Sequence, residues 1–364
     1  MSNLDAVVRA AIGSFVEPAL GQTLDEAGAV LGLTVRGREV DLGLQFGFPT
    51  GGYAPALSSA LSAHVAAEAG AELTFNLALE SRITAHSVQR GLTPLAGVRN
   101  IVAVASGKGG VGKSTVAANL ALGWAAAGAR VGILDADIYG PSQPLMLGLE
   151  GQHPGSPDGK RITPLRAHGV CAMSIGFLVD PAQAVAWRGP MVTQALTQLL
   201  NDTDWCELDY LVIDMPPGTG DIQLTLAQRV PVAGAVIVTT PQDIALADAR
   251  KGIAMFEKVS VPVLGIVENM SVHICSNCGH AEHIFGSGGG ARLAAERGVR
   301  VLGNLPLDAH IREEADGGRP TVIAAPASPR AEAYLQMARN VAGALALRSR
   351  DRSTLFPKIV VEAS

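Results

Sequence analysis

Cysteine, positive charge and long apolar runs are all scarce in this sequence, and each scarcity removes a class of protein. Its 364 residues contain four cysteines, Cys171, Cys206, Cys275 and Cys278. That is too few for a secreted scaffold held by dense disulfides, so a reducing compartment is expected. Lys and Arg number 28 against 33 Asp and Glu, for a formal charge of -5. Residues 1–98 alone carry nine acidic and five basic side chains. No broad cationic surface is available for nucleic acid or anionic lipid. No window reaches the roughly 18 unbroken apolar residues of a membrane span, and the N-terminus has no basic stretch leading into an apolar one. The expectation is a cytoplasmic protein with neither nucleic acid nor membrane as partner.

What is present is a large apolar fraction, 48%, with only 17% charged residues, enough for a sizeable core and two domains. Leu4, Val7, Val8, Ala11, Ile12 and Phe15 recur at helical spacing, which predicts a helix over 4–15. Val40, Leu42, Leu44 and Phe46 alternate, as do Leu73, Phe75, Leu77 and Leu79, with an alanine-rich helix between them at 54–69. Residues 1–90 therefore read as a small α+β domain, and 91–100, with Gly, Pro and Thr but no periodicity, as a linker. From Ile101 the pattern changes to short continuous apolar runs, each followed by a helical stretch, as in parallel strands covered on both faces. Runs at 101–105, 131–134, 211–213, 235–238, 263–267 and 299–302 predict an α/β fold, a doubly wound and mostly parallel sheet over 101–348. Residues 151–160 read as a flexible loop and 349–364 as a tail.

Gly107-Lys108-Gly109-Gly110-Val111-Gly112-Lys113-Ser114 satisfies G-x-x-x-x-G-K-[ST] between a predicted strand and a predicted helix, the context that a phosphate-binding loop requires. Glycines allow positive φ angles and bring backbone N–H groups against phosphate oxygens. Lys113 would supply charge to the β and γ phosphates of ATP. Ser114 would ligate Mg2+, and Thr115 belongs to the start of the helix, whose positive end faces the anion. Lys108, a second lysine inside the loop, is either a solvated side chain or one that reaches the phosphates of a nucleotide on a facing subunit. Asp214 closes a strand and is the expected carboxylate of the metal shell. Asp135 and Asp137 end another strand, where one can orient the attacking water while the other contacts the metal shell, and Pro216 to Asp221 reads as a switch-like loop.

Cys275 and Cys278 form a C-x-x-C pair, which offers only two soft ligands. A zinc knuckle completed by His280 or His283, a redox pair, and half of a site duplicated by a symmetric dimer all remain open at this point. Otherwise His280 and His283 read as exposed loop histidines, and Cys171 and Cys206 as small buried apolar side chains.

Several segments together resemble one family. The phosphate loop from Ser106 to Thr115, Asp135-Ala136-Asp137-Ile138-Tyr139-Gly140-Pro141-Ser142, Trp187-Arg188-Gly189-Pro190-Met191, Thr240-Pro241-Gln242-Asp243 and Glu268-Asn269-Met270 are similar to signatures of the Mrp/ApbC iron-sulfur cluster carrier ATPases. These belong among the MinD- and ParA-like deviant Walker ATPases, and the resemblance spans roughly Leu95 to Leu345. It implies a nucleotide-sandwich homodimer in which Lys108 acts across the interface, Asp137 positions the hydrolytic water and Asn269 reads the adenine. It also implies that Cys275 and Cys278 of both subunits hold one bridging [4Fe-4S] cluster, passed to apo iron-sulfur proteins with cluster-assembly factors as further partners. Residues 1–90 look like a divergent copy of the family's front domain and contain no cysteine, so cluster chemistry attributed to cysteine-bearing front domains does not transfer. A MinD/ParA-like positioning switch and an electron-transfer ATPase like the nitrogenase iron protein are the rival expectations. The tail argues against a membrane-targeted switch, because residues 355–364 include Pro357 and a single lysine rather than a basic amphipathic helix.

Overall fold

The alternating and continuous apolar runs resolve into two sheets in a computed structural model, which describes residues 3–70, 72–157, 159–178, 189–275 and 277–349. The front region begins with α1 (Asn3–Ser14) and the two-residue strands β1 (Val16–Glu17) and β2 (Gln22–Thr23), followed by β3 (Val30–Arg36), β4 (Glu39–Phe46), α2 (Ala54–Ala69) and β5 (Thr74–Ser81). Its sheet has the order β3-β4-β5, antiparallel between β3 and β4 and parallel between β4 and β5. The alternation in β4 is what buries Val40, Leu42, Leu44 and Phe46 on one face.

The second sheet is built from β6 (Val98–Ala105), β7 (Val131–Asp135), β8 (Leu165–Ala167), β9 (Val170–Ser174), β10 (Leu208–Asp214), β11 (Gly234–Thr239), β12 (Val263–Glu268) and β15 (Arg300–Asn304). Between β12 and β15 a small hairpin, β13 (His273–Ile274) and β14 (Ala281–Glu282), stands apart from both sheets. The strand order is β15-β12-β11-β6-β10-β7-β9-β8, parallel throughout except where β8 meets β9. Covering or connecting helices are α3 (Lys113–Ala126), α4 (Gln143–Met146), α5 (Gly189–Asp202), α6 (Asp221–Arg229), α7 (Asp243–Lys258), α8 (Gly289–Arg297), α9 (Ala309–Asp316), α10 (Thr321–Ala324) and α11 (Pro329–Ala346). No helix among the described residues is long and apolar enough to cross a membrane.

Five of the six strand runs read from the sequence lie wholly in this sheet, each extended by one to a few residues, and the sixth is shifted, β15 beginning at Arg300 and leaving Val299 outside. Val98, Arg99 and Asn100, expected in the linker, instead open β6, and Asn100 is buried. Its side chain explains this placement: Oδ1 accepts from the His86 backbone N–H at 3.1 Å, and Nδ2 donates to the Thr84 carbonyl at 2.9 Å. β8 and β9 were not anticipated. β9 is a five-residue buried strand, Val-Cys-Ala-Met-Ser, whose run is too short and too mixed to stand out. Cys206 corrects a second expectation. Cys171 is buried in β9, but Cys206 is exposed, with φ 57°, at the turn before β10 where Trp205 takes the interior place. Apart from Ser349, the expected tail lies outside the described residues.

The buried side chains of the front region and the large sheet form one continuous core. Helix α3 is enclosed almost all round, and Gly123 lets α11 approach so closely that a Cβ there would stand 2.9 Å from Ala338 Cβ. Trp124 stacks on Tyr210 with centroids 4.3 Å apart and donates its indole N–H to the Ala338 carbonyl at 2.7 Å. The front region docks by backbone groups. Arg300 donates to the carbonyls of Pro18 (2.8 Å), Ala19 (2.6 Å) and Leu20 (3.2 Å), and Gly51 N–H donates to the Ala127 carbonyl at 3.0 Å. Glu17 is fully buried beneath them, accepting from Tyr53 Oη at 2.6 Å and Leu20 N–H at 2.7 Å, while the Arg339 guanidinium covers the Tyr53 ring at 4.1 Å.

Burial holds the Glu17 carboxyl above its ordinary value of 4.5, against the pull of the Tyr53 and backbone donors. A carboxyl raised in the folded state contributes stability that is complete below the ordinary value and is lost as pH rises through the folded one. Lowering pH from about 7 to about 5 should therefore stabilise the wild type relative to Glu17→Gln. Thermal unfolding of both proteins across that range checks this, and parallel pH curves would remove Glu17 as the cause.

Candidate functional site

The phosphate loop leaves the carboxyl end of β6 and enters α3, so its geometry follows from where a parallel strand must hand over to a helix. Gly110 and Gly112 take φ 81° and 82°, a region closed to most side chains. Gly107 is required for a different reason: a Cβ there would lie 2.2 Å from the Asp248 carbonyl group of α7. Above Gly109 and Gly110 a Cβ would meet nothing within 4 Å. No side chain caps the first turn of α3, leaving its N–H groups and dipole directed at the loop. The residues present therefore fit a nucleotide phosphate chain: an open cradle, an uncapped helix start and a buried cation.

That cation is Lys113. Its ammonium is paired with the Asp214 carboxylate at the end of β10, with side chains 6% and 0% exposed, and it also donates to Ser114 Oγ at 3.2 Å. Lys113, Ser114 and Asp214, singled out in the sequence, are thus brought together in the structure. Thr115 is partly buried in the first turn of α3, its carbonyl accepting from Asn119 Nδ2 at 3.0 Å. Lys108 is half-buried, and its carbonyl accepts from Ser106 Oγ at 2.9 Å.

The two aspartates at and just after the end of β7 separate cleanly. Asp135 is fully buried and spends both oxygens on the following loop. Oδ1 accepts from Asp137 N–H at 3.1 Å, and Oδ2 accepts from the N–H groups of Ser142 (2.9 Å) and Gln143 (3.0 Å) and the Ser174 hydroxyl (3.3 Å). Burial and the neighbouring Asp214 charge raise its carboxyl, so Asp135 shapes the loop. Asp137 is half-buried. Its carboxyl is also raised, chiefly by burial, with Lys113 pulling down and Asp214 pushing up, which sets it within electrostatic reach of both.

Asn269 lies against the loop. Its Nδ2 donates to the Val111 carbonyl at 2.9 Å and would stand 2.2 Å from a Cβ on Gly112. The preceding Glu268 is buried and accepts from the Gly290 N–H at the start of α8. The following Met270 takes φ 57°, an uncommon conformation for such a side chain. From there the chain runs into the β13–β14 hairpin, which carries both cysteines. Cys275 is half-buried and Cys278 exposed. Cys275 N–H donates to the His280 carbonyl at 2.9 Å, and Gly279 N–H to the Cys275 carbonyl at 2.8 Å. The backbone N–H groups of Cys278 and Asn277, then the Cys278 thiol and His273, draw the Cys275 thiol below its ordinary value, favouring the thiolate form that binds metal. Of the histidines weighed with this pair, His280 and His283 are exposed. Nδ1 of His283 lies 2.6 Å from the Ser271 carbonyl, and Nδ1 of half-buried His273 lies 3.0 Å from the Leu307 carbonyl. Among the described residues no group of three or more His, Cys, Asp and Glu gathers closely enough to hold a metal ion. Trp187 and Arg188 of the third signature lie outside the described residues.

Sequence reasoning missed Gln143, whose amide joins Asp214 to Ser114. It opens α4 directly after Pro141-Ser142, a helix of four residues too short to show periodicity, and only the folding of that segment around Asp135 could reveal it.

Comparison with known proteins shows the family and the fold. A family profile described as "NUBPL iron-transfer P-loop NTPase" (ParA) matches residues 97–342. An iron-sulfur cluster carrier protein of Pseudomonas fragi is 66% identical over 257 residues, covering 70% of this chain and 90% of that protein. Among solved structures, a nucleotide-binding protein of Archaeoglobus fulgidus in complex with ADP is 41% identical, with TM-score 0.55, covering 61% of this chain and 88% of the other. The cell division ATPase MinD of Pyrococcus furiosus, at 24% identity and TM-score 0.50 over 66% of this chain and 98% of its own, bears on the fold alone.

Gly112→Ala should cost about 1–2 kcal/mol in backbone strain and drive a methyl into Asn269. ADP affinity measured by calorimetry should fall by about tenfold or more, and adding Asn269→Ala should recover part of the loss. An unchanged affinity in Gly112→Ala would contradict the loop geometry.

Proposed function

Because this chain belongs to the family of NUBPL-type iron-transfer P-loop NTPases, we propose that it is an ATP-hydrolysing carrier of a [4Fe-4S] cluster. The cluster is held between two copies and handed to apo-proteins. The observation that carries this reading is the placement, beyond the carboxyl ends of β6 and β12 in one parallel sheet, of an uncapped phosphate loop and a two-thiol hairpin that lacks further ligands in its own chain among the described residues. Four thiolates are the usual ligand set of such a cluster, and a twofold axis through the hairpin presents Cys275 and Cys278 twice. Ile274 and Ile284, each 51% exposed, flank the thiols and give a second copy apolar surface to cover.

In the hydrolytic half, the loop N–H groups and the start of α3 bind the β and γ phosphates of ATP. Lys113 leaves Asp214 to follow the phosphates, and Asp214 and Ser114 then face the cation. Mg2+ in that place supplies charge neutralisation on the phosphate oxygens. Asp137, the half-buried one of the two strand-end carboxylates, orients the attacking water, and Lys108 of a facing copy adds charge where it develops on the transferred phosphoryl group. Asn269 is bonded to the loop at one end of the segment and the cysteine hairpin follows at the other. Movement of the loop on hydrolysis therefore reaches the hairpin through four residues of chain, Asn269 to Val272.

Anaerobic reconstitution of the wild type should yield about one [4Fe-4S] per dimer, counted by iron analysis and by optical and EPR spectra. Cys275→Ala should not hold it, and a full cluster in that variant would refute the shared site. Lys113→Ala should lower ATP turnover by about a hundredfold or more, measured as phosphate release. Retained hydrolysis would remove the assignment of the loop.

A further inference from the structure

Gln143 has a burial and a bonding pattern that packing alone does not account for. It is 1% exposed, and its backbone is fixed independently of its side chain by the bond from its N–H to Asp135. The side-chain nitrogen donates to Asp214 Oδ2 at 2.9 Å and to the Ser114 carbonyl at 3.1 Å. Both partners only accept, so the nitrogen must be the atom that faces them, and the amide orientation follows from chemistry. Its carbonyl oxygen, Oε1, is then left buried with no hydrogen-bond partner among the described residues. An unsatisfied buried acceptor costs about 1–3 kcal/mol, and a side chain as long as methionine could fill the same space without that cost.

The two groups that Gln143 grips belong to the residues expected around the cation: Ser114, whose hydroxyl is the expected ligand, and Asp214, the strand-end carboxylate. Holding Asp214 by Oδ2 leaves Oδ1 turned to Lys113. Divalent magnesium keeps several of its waters when bound beside phosphates, and each such water carries polarised O–H donors that need acceptors. Among the described residues, Oε1 is a buried side-chain acceptor beside this pair that is left without a donor.

We propose that Gln143 is a positioning residue for the hydrated divalent cation of the nucleotide site. Nε2 sets the orientation of Asp214, and Oε1 accepts a hydrogen bond from a cation-bound water. This rests on the nucleotide reading above and extends it to a residue outside the phosphate-loop motif.

The test uses Mn2+ as the probe, with the full chain. ADP binding in excess EDTA is followed by calorimetry, and Mn2+ binding in the presence of saturating ADP by EPR of the free ion. Gln143→Met, close in length and volume, should leave ADP affinity without metal within about twofold and weaken Mn2+ by about tenfold or more, as loss of an outer-sphere partner does. Gln143→Asn keeps an amide too short to span Asp214 and Ser114, and should show the same split if the methionine variant does not fold. Equal Mn2+ affinity in a folded variant would overturn the proposal. So would a loss of ADP affinity in EDTA as large as the loss of Mn2+, because that marks a packing role. A wild type that binds ADP but no Mn2+ would remove the cation site itself, and this inference with it.

Discussion

The buried ion pair between Lys113 and Asp214 is the constraint on which the rest of the site depends. Two charges almost wholly withdrawn from water are costly unless each is answered by well-placed partners, and the surrounding structure supplies them. Ser114 Oγ accepts from the lysine, and Gln143 donates to the free carboxylate oxygen. The backbone from which Gln143 reaches is fixed by buried Asp135, which accepts the N–H groups of Ser142 and Gln143 at the start of α4. Three consecutive strands of the sheet, β6, β10 and β7, thus deliver the lysine loop, Asp214 and Asp135 to one edge. The pair keeps a buried cation beside an open cradle.

The same economy of close contacts ties the loop to the thiol hairpin. Asn269 touches Val111 and leaves no room for a side chain on Gly112. Glu268, one residue earlier, holds the start of α8. The front region is connected to the same machinery from the far end of α3, where Ala127 accepts from Gly51, and through α11, whose Arg339 covers Tyr53. Arg300 grips backbone carbonyls of that region from the large sheet, beside the buried Glu17.

Much of this was legible in residue order, because the features concerned are local or periodic. Alternation in β4, continuous apolar runs in the parallel strands and the glycine spacing of the loop each reflect a backbone geometry that a few neighbouring residues specify. The short strand β9, the exposed turn at Cys206 and the early start of β6 escaped, since each depends on a partner distant in the chain: β7 beside β9, Trp205 taking the interior place, His86 and Thr84 on Asn100.

By itself, the sequence determined the phosphate loop, the α/β class and the spacing of two soft ligands, since loop, strand and C-x-x-C chemistry are written in contiguous residues. Only the tertiary structure decided which of Asp135 and Asp137 is spent on the loop and which stands at the site, that Gln143 joins Asp214 to Ser114, and that Asn269 presses on the loop. Those outcomes turn on which side chains lose their water and whom they then meet, and burial is a property of the whole packed chain rather than of any segment in it.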